Sequence, residues 1–122
     1  APYSTAYAIA RKPIISKGYT EMIVLYDKIP VVAYGTPGTP EICRDIKTYI
    51  YQTDALLLAN HGLVTMGRTL KDAYLLSESV ESIARTLFYS HLLGGEHPLA
   101  QSELNQLYDM RKKKFGKDPV TP

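Results

Sequence analysis

The tripeptide Asn60-His61-Gly62 separates two short apolar runs, and this arrangement constrains the fold more than any other part of the chain. The runs are Ala55–Ala59 and Leu63–Met66. Each is short, apolar and bounded by turn residues, so both are predicted to be buried strands joined by a tight connection. Gly62 allows the backbone to turn sharply and a ligand to approach closely. His61 is therefore a candidate metal ligand, because imidazole binds zinc through a neutral ring nitrogen.

His61 also has a structural explanation. A catalytic zinc ion usually takes three protein ligands and keeps one position open, so a single histidine does not make a site. On spacing alone, a hydrogen-bonded turn histidine is the commoner outcome. The other two histidines add no support, because His91 lies on the apolar stripe of a predicted helix and His97 precedes Pro98 in a predicted loop.

The rest of the chain alternates short apolar runs with helical patterns, which predicts part of one α/β domain with mostly antiparallel strands. Further strands are predicted at Met22–Tyr26 and Pro30–Tyr34. Helices are predicted over residues 3–10, from a Thr39 cap through Ile50, from a Thr69 cap to the Gly94-Gly95 pair, and from a Ser102 cap into Arg111–Lys114.

Composition argues against several classes of protein. A formal net charge of +2 over 122 residues is too small to indicate a nucleic-acid or acidic-membrane partner. No apolar run reaches the length of a membrane span. The single cysteine, Cys43, cannot form an internal disulfide, which suits a reducing compartment. These features predict a cytoplasmic protein that binds neither nucleic acid nor membranes.

Four segments, in order, resemble the class II aldolase/adducin family of zinc-dependent sugar-phosphate enzymes. The central one is the stretch 55–67 with the long helix that follows it. The others resemble the helix after the family's His-x-His metal motif, the strand and turn before the next helix, and the end of the long helix; they are residues 1–8, 29–39 and 92–95. The resemblance runs from Ala1 to about Gly116. It implies a three-layer α/β/α domain, of which residues 1–122 form the C-terminal portion, starting just after His-x-His and lacking the N-terminal part.

The resemblance also implies roles for two residues. His61 corresponds to the third zinc-binding histidine of the family, and the other Zn²⁺ ligands would lie upstream of residue 1. The family's zinc acts as a Lewis acid on a substrate ketone and the adjacent hydroxyl. Tyr19 corresponds to a catalytic tyrosine that is contributed across a subunit interface and supplies a proton to the aldehyde oxygen. The alternative for Tyr19, one of ten tyrosines, is a partly exposed loop residue.

The C-terminal part departs from the pattern of fuculose-phosphate aldolases within the family. These enzymes carry a second tyrosine in a mobile tail, and Phe115 stands at the matching position here. Phenylalanine can exclude water but cannot donate a proton. The basic run Arg111–Lys114 is expected to be a solvated helix end. Glu78 and Glu81 are expected to face solvent or a neighbouring subunit.

The function that the resemblance implies is a zinc-dependent aldolase. Such an enzyme cleaves a ketose phosphate, for example L-fuculose 1-phosphate, reversibly to dihydroxyacetone phosphate and a small aldehyde. A pentulose-phosphate 4-epimerase or a sugar-acid phosphate decarboxylase on the same scaffold is the first alternative, and a non-catalytic adducin-like structural domain is the second. The family also implies a homotetramer with intersubunit active sites, so these 122 residues alone are expected to be inactive.

Overall fold

The computed structural model describes residues 1–121, which form helices and short strands in two small sheets. The helices are α1 (Pro2–Ile9), α2 (Thr20–Leu25), α3 (Leu70–Leu92) and α4 (Gln101–Phe115). The strands are β1 (Ile14–Ile15), β2 (Lys28–Ile29), β3 (Val31–Val32), β4 (Ala55–Leu58) and β5 (Gly62–Thr65). None of the helices in this part of the chain is both long and apolar enough to cross a membrane.

The strands pair mostly in antiparallel fashion. β1 pairs with β2, placing Ile14 opposite Ile29, and β4 pairs with β5, placing Leu57 opposite Leu63. The exception is β3, which runs parallel to β4. Parallel neighbours need a long crossover, and residues 33–54 supply it. The predicted α/β class with mostly antiparallel strands is confirmed.

The core joins both sheets to the helices. α1 and α3 contact each other and both contact β4 and β5, while α4 packs against α2. Side chains with almost no exposed surface come from both sheets and from helices α1, α2 and α3; they include Ala8, Ile14, Met22, Ile29, Ala55, Leu57, Val80 and Ala84. Burial of this apolar surface stabilises the domain and fixes the position of the β4–β5 hairpin.

Helix α3 begins as predicted. The Thr69 hydroxyl accepts a hydrogen bond from the Asp72 amide at 3.1 Å, which satisfies one free donor of the first turn. The buried face is narrower than the predicted stripe and consists of Val80, Ile83, Ala84 and Leu87. His91 was predicted on that stripe and is instead exposed.

Two predicted elements are wrong. The Met22–Tyr26 run is not a strand, because residues 20–25 form α2, which buries the adjacent pair Met22 and Ile23. A five-residue apolar run is compatible with either structure, and packing against α4 selects the helix. The helix predicted from Thr39 is replaced by two 3₁₀ segments, Pro40–Cys43 and Ile46–Thr48, and the Thr39 hydroxyl donates to the Thr36 carbonyl instead of capping them.

The start and end of α4 also differ from the prediction. The helix begins at Gln101, and the Glu103 carboxylate accepts the Ala100 amide proton at 3.0 Å, so Ser102 is not the cap. Arg111 is not solvated, because only 2% of its surface is exposed. Its Nη1 donates to the carbonyls of Leu25 at 2.7 Å and Val24 at 3.3 Å, which are free acceptors at the end of α2.

Candidate functional site

The candidate metal ligand lies in the three-residue connection between β4 and β5. The His61 amide donates to the Leu58 carbonyl at 2.9 Å, and the Asn60 amide donates to the Ala8 carbonyl at the end of α1 at 3.0 Å. Asn60 holds the left-handed backbone conformation, with φ +64°. The sharp turn expected at Gly62 is therefore made one residue before His61, while Gly62 begins β5 opposite Leu58. Asparagine tolerates this conformation better than most residues.

The imidazole of His61 has an available ring nitrogen. Its Nε2 is buried and has no hydrogen-bond partner within residues 1–121. The ring stacks on the phenol of Tyr34, with centroids 6.1 Å apart and planes inclined by 10°. Because buried polar atoms normally have a partner, an unpaired Nε2 on a rigid hairpin fits a metal ligand.

His61 is not accompanied by further ligands in this part of the chain. Within residues 1–121, the side chains of histidine, cysteine, aspartate and glutamate form no group of three or more that could hold a metal ion. The described residues therefore supply one nitrogen ligand of the kind that zinc prefers, the Nε2 of His61.

Tyr19 lies immediately before α2, in a loop organised by Ser16. The Ser16 hydroxyl oxygen accepts the amide protons of Gly18 at 3.0 Å and Tyr19 at 2.8 Å. The Ser16 hydroxyl donates in turn to the Glu96 carboxylate, whose other oxygen accepts the Lys17 amide proton at 2.9 Å. This network fixes the backbone that carries Tyr19.

The Tyr19 side chain lines an open cavity of about 530 Å³ beside the C-terminal half of α3. Polar groups on its wall include those of Thr86, Tyr89, Glu96 and His97. His61 is not part of this lining. Within one chain, the structure does not bring the two predicted site residues into one cavity.

Phe115 is the last residue of α4 and lies in a third location. It lines a cavity of about 200 Å³ together with Tyr26, Asp54 and Arg111. Neither His61 nor Tyr19 lines this cavity.

The segment after Phe115 lies against the body of the domain. Lys117 forms an ion pair with Asp54 at 3.0 Å. The Val120 amide donates to the Asp27 carboxylate at 2.7 Å.

Two residues near His61 were missed by the sequence analysis. Tyr34 contacts the imidazole, as described above. Arg11 donates from Nε to the Asn60 side-chain oxygen at 2.7 Å, and its guanidinium carbon lies 5.8 Å from the centre of the Tyr34 ring. Arg11 lies outside the four segments that resemble the family, and Tyr34 lies within residues 29–39 but was given no role there. Only the tertiary structure shows that they meet at the hairpin.

Comparisons with known proteins agree with this architecture. Residues 1–88 match the family model described as "Class II Aldolase and Adducin N-terminal domain". A solved structure of L-fuculose 1-phosphate aldolase superposes with a TM-score of 0.75 at 27% identity, covering 93% of this chain and 52% of that one.

Three similar proteins are named for different activities on phosphorylated sugars or sugar acids. An L-fuculose phosphate aldolase of Haemophilus influenzae is 37% identical over 102 residues, covering 82% of this chain and 46% of the relative. A 5-methylthioribulose-1-phosphate/5-deoxyribulose-1-phosphate aldolase of Rhodospirillum rubrum is 30% identical over 122 residues, covering 100% of this chain and 55% of the relative. A 3-oxo-tetronate 4-phosphate decarboxylase of Escherichia coli is 28% identical over 98 residues, covering 80% and 44%. The chain thus spans about half the length of these relatives.

Proposed function

Because this chain belongs to the class II aldolase and adducin family, we propose that it forms part of a zinc-dependent aldolase that cleaves a phosphorylated ketose, with His61 as a metal ligand. The substrate class follows from the relatives, two of which are named as aldolases of sugar phosphates. L-Fuculose 1-phosphate, 5-methylthioribulose 1-phosphate and 5-deoxyribulose 1-phosphate are the three candidates that their names supply. The products would be dihydroxyacetone phosphate and an aldehyde.

The observation that carries this proposal is the buried, unpaired Nε2 of His61. A structural histidine in a turn would use its ring nitrogens to satisfy neighbouring groups. In a non-catalytic adducin-like domain there would be no reason to retain a donor with this geometry. The remaining ligands would come from the segment that precedes the region equivalent to Ala1 in the family. When bound, zinc supplies Lewis acidity at the substrate carbonyl and neighbouring hydroxyl.

The chain's own residues would have distinct tasks in such an enzyme. His61 would donate Nε2 to the metal and remain neutral. The Tyr19 side chain would exchange a proton with the oxygen of the departing aldehyde: in condensation the phenol donates its proton to that oxygen, and in cleavage the phenolate takes the proton of the substrate hydroxyl as the carbon–carbon bond breaks. Since Tyr19 and His61 do not share a cavity within one chain, this role requires a site between subunits, which the proposed homotetramer would supply.

A decarboxylase is the second candidate. The similarity to 3-oxo-tetronate 4-phosphate decarboxylase covers 80% of this chain, and Phe115 stands where fuculose-phosphate aldolases are expected to carry a tyrosine. Both reactions leave electrons on the carbon beside a carbonyl, so the same metal chemistry would serve either one.

A substrate panel separates these candidates. The complete protein, loaded with zinc, is incubated with L-fuculose 1-phosphate, 5-methylthioribulose 1-phosphate, 5-deoxyribulose 1-phosphate and 3-oxo-tetronate 4-phosphate. Release of dihydroxyacetone phosphate identifies the aldolase, and release of carbon dioxide from the last compound identifies the decarboxylase. A zinc-loaded protein that converts none of the four would refute both proposals.

A further inference from the structure

We infer that Arg11 and Tyr34 are positioning residues that hold the His61 imidazole in one orientation, through the contact of Tyr34 with the ring and of Arg11 with both Tyr34 and Asn60. The benefit for metal binding rests on the proposed role of His61 as a ligand. The orienting contacts themselves can be tested without metal.

Tyr34 is the residue that touches the imidazole. The two rings are nearly parallel, inclined by 10°, with centroids 6.1 Å apart, which is an offset stack. Metal-binding histidines are usually oriented by a hydrogen bond to the second ring nitrogen. Here a flat aromatic neighbour restricts the plane of the ring, while Nε2 stays free for a ligand.

Arg11 connects the parts that surround the ring. Its Nε donates to the Asn60 side-chain oxygen at 2.7 Å, and its guanidinium carbon lies 5.8 Å from the centre of the Tyr34 ring. The hydrogen bond holds the residue next to His61, and the cation–π contact holds the ring that stacks on His61. The Arg11 side chain therefore restrains His61 through two neighbours, Asn60 and Tyr34.

The backbone conformation of Arg11 is energetically unfavourable for most residues other than glycine. Arg11 follows α1 with φ +54°. Its amide donates to the Ala8 carbonyl at 3.1 Å, and the Lys12 amide donates to the Tyr7 carbonyl at 3.0 Å, which is the Schellman arrangement of a helix end. Glycine is the favoured residue at this left-handed position. An arginine there is disfavoured by its Cβ, so glycine would suit the backbone better.

This conflict makes Arg11→Gly a sharp test. The substitution keeps the left-handed turn and removes only the side chain, so the midpoint of urea unfolding should equal or exceed that of the wild type. The companion variants are Arg11→Lys, which keeps the charge but not the Nε donor, and Tyr34→Leu, which removes the aromatic ring. Tyr34→Phe keeps the ring. Arg85→Met is the matched control, because Arg85 is a second arginine that stacks on aromatic rings, those of Tyr3 and Tyr89.

The first readout is the NMR spectrum of the His61 ring in the complete protein without metal. In the wild type and in Tyr34→Phe, the ring protons should carry an upfield ring-current shift and relax as a rigid group. In Arg11→Gly, Arg11→Lys and Tyr34→Leu, the shift should shrink and the ring should become mobile. His91 and His97 should be unaffected. An unchanged His61 ring in Arg11→Gly and Tyr34→Leu would overturn the inference.

The second readout is zinc affinity in the complete protein, measured by competition with a chelator. Loss of a supporting partner should weaken binding on the order of tenfold in Arg11→Gly and Tyr34→Leu, with no change in Arg85→Met. Equal affinity in wild type and Arg11→Gly would also overturn the inference and leave the proposed function standing. Failure of the wild type to bind zinc would instead refute the proposed function, and the ring spectra would still decide the positioning role.

Discussion

The Glu81 carboxylate of α3 holds the start of α1 through Ser4. One Glu81 oxygen accepts hydrogen bonds from the Ser4 hydroxyl at 2.7 Å and the Ser4 amide at 2.9 Å, and the other accepts the Tyr3 amide proton at 2.8 Å. Free amide groups in the first turn of a helix are usually satisfied by a residue just before it. Here the acceptor comes from a residue far along the chain, so Glu81 joins α3 to the start of α1.

Glu81→Gln should destabilise the domain by about 1 kcal/mol at pH 7, since a charged acceptor becomes a neutral one at a partly exposed site. Burial acts to raise the pKa of Glu81, but the hydrogen bonds from Ser4 and Tyr3 outweigh it, and the pKa is lowered overall. The stabilisation is therefore present above the unfolded value of about 4.3 and is lost as the pH falls through the folded pKa.

The measurement is urea unfolding of wild type and Glu81→Gln between pH 3 and pH 7, with the two curves converging at the acid end. Glu78→Gln is the matched control, because Glu78 is exposed on the same helix and accepts only from the Tyr74 hydroxyl. A pH-independent difference would contradict the assignment of the effect to the charge.

Arg111→Met should lower the free energy of unfolding by about 2 kcal/mol, because the carbonyls of Val24 and Leu25 lose a buried donor. Lys112→Met is the control. Lys112 is exposed and forms an ion pair with Asp118 at 3.0 Å, so its loss should cost at most about 0.5 kcal/mol. Equal unfolding midpoints for the two variants would show that the buried contacts of Arg111 contribute little.

His61→Ala should abolish zinc binding and turnover in the complete protein while changing the metal-free stability by less than about 1 kcal/mol, since the side chain is half-buried and its Nε2 has no partner to lose. Metal content by elemental analysis and a chemical denaturation curve test the two parts. His91→Ala, at an exposed histidine of α3, should retain both metal and activity. Full zinc occupancy in His61→Ala would rule out the ligand role.

Tyr19→Phe should reduce kcat by about 10²-fold with unchanged zinc content, because the substitution keeps the ring and removes only the hydroxyl that exchanges the proton. The comparison is Tyr51→Phe, since Tyr51 is 94% exposed and lines no part of the Tyr19 cavity. Steady-state kinetics and metal analysis on the same samples decide the result. A Tyr19→Phe enzyme as fast as wild type would return Tyr19 to a packing role.

The elements that sequence patterns predicted well are those fixed by local chemistry. The hairpin around His61 is set by two apolar runs and a turn, and the start of α3 is set by the Thr69 hydroxyl. Both depend on residues within a few positions of each other, so periodicity and capping rules suffice.

The elements that were missed depend on distant partners. α2 is helical because the helix buries Ile23 and packs Met22 into a core shared with α1, α3 and both sheets, and Arg111 is buried because α4 lies against α2. Tertiary packing likewise brings Arg11 into contact with Tyr34 and Asn60. No sequence spacing encodes these contacts, so tertiary packing decided them.

The parallel pairing of β3 with β4 sets an order of assembly for the site. The β4–β5 hairpin closes over three residues, whereas β3 can join β4 only after the long segment 33–54 has been looped back. Local pairings form faster than those of high sequence separation. We expect Leu63→Ala in β5 to slow folding, with a φ-value above that of Val32→Ala in β3, which should mainly speed unfolding in chevron measurements. The loop that carries His61 would then form early in folding, and Tyr34 would reach His61 only when β3 pairs with β4.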